Sequence, residues 1–470
     1  MSKLRLSTAE FRRLAEQITD LSAEFLESLD QGASFPETSG SGTEHWFRGP
    51  LPEDGAGAAA LDALQVVAAH SRPPSPRFFA YVFGSGEPVA VLGDYFAGVL
   101  NQNVTAWRSA PAAVTIERTV VEWLAEAIGC RGFSGSLCGG GSAANLMGLA
   151  MAREAKAPAN EGGVRGGMVY ASSEAHMSIG KSVALLGLGR QNLRTIPVDD
   201  EFRMDVAALE RAIVEDRNAG RAPIAVVASA GTVNTGAIDP LNDIADVAAN
   251  HGLWLHVDGA YGALAAIAVP QLFAGINRAD SLSLDPHKWL YQPADCGCLL
   301  FKDAGWARVA FSHTGEYTRP LSDDPIEGFA FFEESLELSR RFRALKLWLS
   351  LRYHGLAAFR DAIRQDLAHA RHLADAISRQ PALELLATGP LSAVCFRYAG
   401  DPPRGPETDL DRLNAAVLRR VNRERRRVFL SNASIRGKFA LRACFVNHRS
   451  RQRDVDAVIE EVLEAAKDIR

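Results

Sequence analysis

The stretch LSLDPHKWLYQPAD, residues 282–295, sets one lysine, Lys288, between a histidine and a tryptophan directly after a short apolar run. A lysine so placed is either a surface charge or an amine held for chemistry. The run before it is one of a series. GGMVYAS, LRTIPV, IAVVASA, LWLHVDG, DSLSLD and GCLLFKD all fall between residues 130 and 305, alternating with helical-period segments such as SAANLMGLAMAREAK and VAALERAIVEDR. Near-continuous apolar strands separated by helices predict an α/β fold with a mostly parallel sheet flanked by helices. In such sheets ligands gather at the carboxyl ends of strands, so the residues just after each run deserve inspection.

Working outward, the flanks differ from this body. Upstream, Ser7 or Thr8 caps a first helix with Glu10 in its opening turn, and Phe11, Leu14, Ile18, Leu21 and Phe25 recur at helical spacing. FPETSGSGTE (35–44) breaks regularity, AAALDALQVVAAH is helical again, and the proline-rich SRPPSPRFFAYVFGSG (71–86) leads into the body. After RRFRALKLWLSLRYHG (340–355) come a long helix through DLAHARHLADAIS, two strand-like runs (SAVCFRYAG and FALRACFV) and a closing helix, DVDAVIEEVLEAAK. GDPPRGPET (400–408) reads as a surface loop. The expected division is an N-terminal helical segment (1–85), a large domain (86–355) and a small C-terminal α/β domain (356–470).

The 470 residues are 47% hydrophobic and 23% charged, which is ordinary for a globular protein and enough to bury a large core. A formal net charge of −5 gives no general attraction to nucleic acid or anionic membrane. The one basic cluster, RRVNRERRR (419–427), alternates with polar residues and reads as a solvated helix face. MSKLRLSTAEFRRLAEQITDL has neither an uninterrupted apolar stretch nor a small-residue cleavage site. The most apolar internal segment, GALAAIAVPQLFAGI (262–276), is too short for a bilayer, so a cytoplasmic protein with no membrane or nucleic-acid partner is expected. Six cysteines are scattered without zinc-ligand spacing, predicting buried free thiols and no metal site.

Four run ends carry unusual chemistry: Asp258 followed by Gly259-Ala260-Tyr261, Asp285-Pro286-His287-Lys288, His176, and Gly231-Thr232-Val233-Asn234. A fifth feature, CGGGSAAN (138–145), is a glycine-rich turn opening a helix. Its glycines allow close backbone approach, and Ser142 adds a hydroxyl and an N–H at the positive helix end, a combination that holds a phosphate. No Walker lysine follows, whereas Gly139-x-Gly141-x-x-Ala144 also fits a loose dinucleotide fingerprint, and a plain helix cap is the third reading. Taken singly, Asp258 is a helix cap, Lys288 a surface charge and His176 a structural histidine. Together with a phosphate cradle they match the three services pyridoxal phosphate needs: an imine lysine, a pyridinium carboxylate and phosphate donors. The carboxylate matters, since opposite charges about 4 Å apart attract by roughly 4 kcal/mol at an effective dielectric of about 20. His176 can stack on one ring face and the small Ala260 can lie under the other.

HVDGAYG, DPHKWL, SSEAHMSIGKSVALLG and SRRFRALKLW resemble the pyridoxal-phosphate-dependent group II amino-acid decarboxylases, most closely the aromatic-L-amino-acid decarboxylases. The likeness runs almost end to end, from AEFRRLAEQITDL through RFFAY to FALRACFVNH. It implies a fold type I pyridoxal-phosphate enzyme acting as a homodimer with the cofactor near the interface. It implies that Lys288 forms the internal imine, Asp258 pairs with the pyridine nitrogen, His176 stacks on the ring and Ala260 packs opposite. By the same likeness Gly141 and Ser142 hold the phosphate, while Thr232 and His287 lie beside the cofactor. Asp285 departs from the family's usual asparagine; a carboxylate would repel the phosphate, so it is assigned no phosphate contact. Val233 stands where a second threonine is common.

The implied reaction removes CO₂ from an L-amino acid and returns a proton to Cα. Tyr317, 29 positions after Lys288 (317 − 288), aligns with the family's loop tyrosine and is the expected proton donor, in AFSHTGEYTRPLSDDPIEGF (310–329). That stretch reads equally as a passive surface loop. Tyr81 and Phe83, in FFAYVFG (78–84), are candidate substrate-pocket aromatics or packing residues, and Trp107 is a candidate to reach a partner's pocket. By the same likeness Ser339, before RRFRALKLW, is expected to narrow the pocket and to favour a tyrosine- or dihydroxyphenylalanine-like substrate over tryptophan. Alternatives are an oxidative relative that makes an aldehyde, a decarboxylase of an acidic amino acid, a dinucleotide oxidoreductase and a non-catalytic cofactor-binding regulator.

Overall fold

The computed structural model describes residues 4–313, 324–400, 407–467 and 469. Its central sheet has seven strands: β1 (Ser134–Cys138), β2 (Met168–Ser172), β3 (Leu193–Ile196), β4 (Pro223–Ser229), β5 (Trp254–Asp258), β6 (Ser281–Leu284) and β7 (Gly297–Phe301), ordered β1-β7-β6-β5-β4-β2-β3. β2 to β7 are the six apolar runs of the sequence. β1, SGSLC, has no β-branched residue and carries no strand signal of its own. Pairings from β3 through β6 are parallel, whereas β7 runs antiparallel to both β6 and β1. The reason lies in the connection: between β6 and β7 the chain makes only a four-residue helix, Pro286–Trp289, not the crossover helix that a parallel return needs. β1 therefore points the same way as β6, and both end at the same edge.

Helices cover both faces. Gly141–Lys156 and Met177–Leu185 pack on one, where Met147, Met151, Val169 and Val227 bury each other. Pro111–Ala127, Val206–Asn218 and Leu241–Asn250 pack on the other with Val226, Val257, Leu282 and Leu284. The 35-residue helix Ala344–Ser378 is bent at Gly355 (φ 73°, ψ 156°). Near its start it meets Pro88–Leu100 closely, since a Cβ on Gly93 would lie 2.7 Å from Lys346 Cα. Fully buried Lys346 pairs there with Asp94 at 2.9 Å and donates to Pro293 O at 2.7 Å.

A second, antiparallel sheet holds β8 (Leu383–Thr388), β9 (Ala393–Tyr398), β10 (Ser431–Ile435) and β11 (Lys438–Cys444) in the order β10-β11-β9-β8. β9 and β11 are the two runs legible in the sequence. β10 and β11 are joined by Arg436-Gly437, both at positive φ, as a two-residue hairpin requires. The basic cluster is ion-paired rather than simply solvated. Arg427 meets Glu460 at 2.7 Å and Arg425 meets Glu461 at 2.5 Å, both acids lying on Gln452–Lys467. All six cysteines are free and buried. Among the described residues no helix is long and apolar enough to cross a membrane.

The N-terminal helices behave differently. Thr8–Ser28 is capped as its sequence predicts, Ser7 Oγ accepting from Glu10 N at 3.1 Å, yet none of its residues is buried. Gly40–Phe47 and Ala63–His70 likewise bury none of their residues.

Candidate functional site

At the carboxyl edge of the central sheet a cavity of about 420 Å³ opens, lined from the ends of β1, β2, β4, β5 and β6. It gathers Gly141, Ser142, His176, Thr232, Asp258, Ala260, His287 and Lys288 in one place. These positions span 148 residues of chain (288 − 141 + 1), and the parallel strands are what bring them together.

Lys288 stands on the helical turn Pro286–Trp289, whose Trp289 is fully buried and stacked on Tyr261, centroids 6.0 Å apart. That anchor aims the lysine into the cavity, where Nζ pairs with Asp285 Oδ2 at 2.9 Å. Asp285 is 3% exposed, and its Oδ1 is buried with no hydrogen-bond partner. His287 Nδ1 accepts from Cys296 N at 3.3 Å, and burial lowers its pKa, favouring the neutral ring. The connector expected to line the pocket lies against this turn: Gly84 N donates to His287 O at 3.0 Å, and a Cβ on Gly84 would come within 2.3 Å of that oxygen.

Asp258, 6% exposed at the end of β5, accepts three hydrogen bonds. Ser283 Oγ (3.1 Å) and Ala260 N (3.2 Å) donate to Oδ1, and Asn145 Nδ2 (2.9 Å) donates to Oδ2. His176 caps Met177–Leu185; its Nδ1 faces Ser178 Oγ at 2.8 Å, and burial lowers its pKa. Thr232 Oγ1 is committed to its own turn, 2.9 Å from Thr235 Oγ1 and accepting from Ala237 N at 3.1 Å. The glycine turn sits against Asp258's strand. Gly140 takes φ +136°, and a Cβ on Gly141 would lie 2.5 Å from Ala260 Cβ and 3.0 Å from Asp285 Oδ2. Only glycine fits there, and the 16-residue helix Gly141–Lys156 begins at that point, its first N–H groups lacking partners within the helix.

The remaining candidates lie elsewhere. Phe83 is 40% exposed with its ring 6.2 Å from His287. Tyr81, at φ 63°, is exposed and packs on Phe429. Trp107 is half-buried against the main core, its backbone N–H donating to Phe329 O at 3.0 Å. Ser339 is exposed, next to buried Arg340. None of these four lines the cavity within this chain. Tyr317 lies outside the described residues.

Sequence reasoning missed Asn145, Ser178, His256, Ser281 and Ser283, and gave Asp285 no contact. A signal existed. In WLHVD and SLSLD the polar residues alternate, so Trp254, His256 and Asp258 share one face of β5, and Ser281 and Ser283 one face of β6. A strand buried on both faces in a parallel sheet is normally apolar on both.

The chemistry of this donor set fits pyridoxal phosphate: one amine for an aldehyde, one buried carboxylate for a ring nitrogen, and a glycine-cradled helix end for a phosphate. A family model described as the pyridoxal-dependent decarboxylase conserved domain matches residues 61–399. The chain is 33% identical over 473 residues to an aromatic-L-amino-acid decarboxylase of Bacillus atrophaeus, covering 99% of this chain and 97% of the relative. It is 33% identical over 500 residues to a tyrosine decarboxylase of Oryza sativa subsp. japonica, covering 99% and 92%. A solved structure of Oryza sativa TDC with PLP and tryptamine matches 100% of both chains with a TM-score of 0.93 at 27% identity.

Proposed function

The chain belongs to the pyridoxal-dependent decarboxylase family, and from that premise we propose that it converts an aromatic L-amino acid to its amine and CO₂ with pyridoxal 5′-phosphate as cofactor. Its architecture is that of a fold type I enzyme of this cofactor. The observation that carries the reading is the meeting of the Lys288 amine, the Asp258 carboxylate and the Gly141–Ser142 helix end in one cavity.

When bound, the cofactor supplies an electron sink for the bond broken at Cα. The chain's own residues do the rest. Lys288 is the amine assigned to hold the cofactor's aldehyde carbon and to be released when substrate arrives. Asp258 would keep a proton on the ring nitrogen; its three donors fix its orientation for that task. His176 and Ala260 would hold the two ring faces, Gly141 and Ser142 the phosphate, with Thr232 and His287 alongside. Tyr317 is assigned to return a proton to Cα from its phenol, which is protonated at neutral pH with a reference pKa near ~10. Phe83, Tyr81 and Ser339, with Trp107 from a second subunit, would bound the aromatic side chain, and the Ser339 hydroxyl would favour a phenol over an indole.

The enzyme is proposed to be a cytoplasmic homodimer. The exposed Phe11, Ile18, Trp46 and Phe47 on helices without a buried residue support a partner subunit. The free buried thiols support a reducing compartment.

Purified protein loaded with cofactor is expected to show a visible absorption band that borohydride abolishes, leaving an adduct on Lys288. A panel of aromatic and acidic L-amino acids, assayed for CO₂, amine, ammonia and peroxide, then decides substrate and outcome. Absence of the band, or turnover by Lys288→Ala at the wild-type rate, overturns the reading.

A further inference from the structure

Behind the cavity wall runs a hydrogen-bonded chain that reaches Asp258 and His176, and the Asp258 carboxylate, which can only accept, fixes its direction. The Trp254 indole N–H can only donate, and it donates to Ser281 Oγ at 2.8 Å. Ser281 Oγ also lies 2.8 Å from His256 Nδ1 and gives its proton to that nitrogen. His256 is fully buried, and burial depresses its pKa to about 4, which favours the neutral ring; with the Asn145 amide nitrogen turned to the Asp258 carboxylate, Asn145 Oδ1 faces Nε2, so the single proton sits there. That proton goes to Asn145 Oδ1 at 2.9 Å. The Asn145 amide nitrogen then donates to Asp258 Oδ2 at 2.9 Å and to Ser178 Oγ at 3.0 Å. Ser178 passes its proton to His176 Nδ1 at 2.8 Å, which leaves the proton of neutral His176 on Nε2. Turning the Asn145 amide over would set its oxygen against the Asp258 carboxylate, and the Ser178 backbone N–H, 3.3 Å from His176 Nδ1, also requires that nitrogen to accept.

The helix over β5 makes room for this. Gly148 lies three residues after Asn145, on the same helix face, and a Cβ there would stand 2.5 Å from the His256 ring. The absent side chain is what lets the imidazole reach the amide.

We propose that Asn145 is a positioning residue of this enzyme: one amide fixes the orientation of the Asp258 carboxylate and the proton position of His176 together, with His256 as its buried anchor. The inference rests on the assignment of Asp258 and His176 to the cofactor. A carboxylate that must meet a ring nitrogen and an imidazole that must present one given nitrogen are set by the same group, so disturbing either end disturbs both.

The test uses Asn145→Leu, which keeps the volume and removes both donors, and Gly148→Ala, which removes no polar group but crowds the His256 ring, its Cβ falling 2.5 Å from Nδ1. Each is measured as holoenzyme for thermal midpoint, for cofactor dissociation constant, and for the pH at which the bound cofactor's visible band titrates. Asn145→Leu is expected to lower kcat about 10- to 100-fold, the loss of one hydrogen bond to a charged group, with KM little changed. It should also weaken cofactor binding and move the titration of the band. Gly148→Ala should move the band in the same direction by less, and the shifts from Asn145→Leu and His176→Gln should be non-additive when combined. An Asn145→Leu protein that keeps the wild-type band titration and kcat overturns the proposal. If that variant does not fold, an unchanged titration in Gly148→Ala does so. A wild-type protein that fails to bind pyridoxal phosphate overturns the function instead, and the two failures are distinct.

Discussion

Asp285 stands between the two charged requirements of the site. Its Oδ2 holds the Lys288 amine at 2.9 Å, while the same oxygen lies 3.0 Å from where a Cβ on Gly141 would be. A carboxylate beside a turn suited to a phosphate repels it. Asp285→Asn keeps the shape and removes the charge, so it should tighten pyridoxal phosphate binding severalfold, most at pH 8 where a phosphate monoester is fully dianionic. Equilibrium absorbance titration at pH 6 and pH 8 checks this; weaker binding at both would mean that the Lys288 partner matters more than the repulsion. The second single-residue prediction concerns Tyr317. Tyr317→Phe should bind cofactor and release CO₂ while losing the proton donor, so that oxygen is consumed and aldehyde, ammonia and peroxide replace amine. Amine formed at the wild-type rate would remove Tyr317 from the mechanism.

At the level of elements, the long helix Ala344–Ser378 carries a pH dependence. Asp366 is fully buried there, accepting from Tyr291 Oη at 2.8 Å and Asn447 N at 3.1 Å, and burial pushes its pKa up to about 7. A carboxyl raised above its unfolded value near ~3.9 contributes stability that is fully present below that value and is lost as pH climbs through about 7. Over that window the native state loses up to about 1.4 kcal/mol per pH unit from this group. Asp366→Asn should therefore show a smaller drop in thermal midpoint between pH 5 and pH 8 than wild type, read by scanning calorimetry. Elements are also where legibility divides. The six apolar runs that became β2 to β7 stand out because each is four to seven residues of mostly apolar text, whereas β1 is made of serine, glycine and cysteine around one leucine. The strand ends showed Lys288, Asp258 and His176, because a charge after an apolar run is conspicuous. Asn145 and His256 were not legible in the same way: one sits inside a helix and the other inside a strand, and only the register of β5 under Gly141–Lys156 makes them neighbours. The antiparallel β7 needed the short connection to be seen as too short for a crossover.

For the whole molecule, the N-terminal arm is an amphipathic helix that its own chain leaves without a fully buried residue. Phe11 is 46% exposed and Ile18 37%, on a helix whose apolar spacing predicts a buried face. Phe11→Asp combined with Ile18→Asp should convert the proposed dimer to monomer, seen by light scattering, with activity lost and the bulk of the circular dichroism retained. A dimer of undiminished activity would place the interface elsewhere. One feature of the central sheet reaches beyond the finished molecule. β1 joins that sheet only through β7, which is not made until residue 301, although the glycine turn follows β1 at residue 139. On the ribosome, more than 150 residues must therefore emerge after the turn (301 − 139 = 162) before the strand that joins β1 to the sheet is complete. A nascent chain halted before Gly297 owns every cofactor-facing group assigned here except Tyr317, yet lacks the strand through which β1 joins the sheet. Cofactor capture by chains halted on either side of that strand would measure how far the glycine turn depends on it.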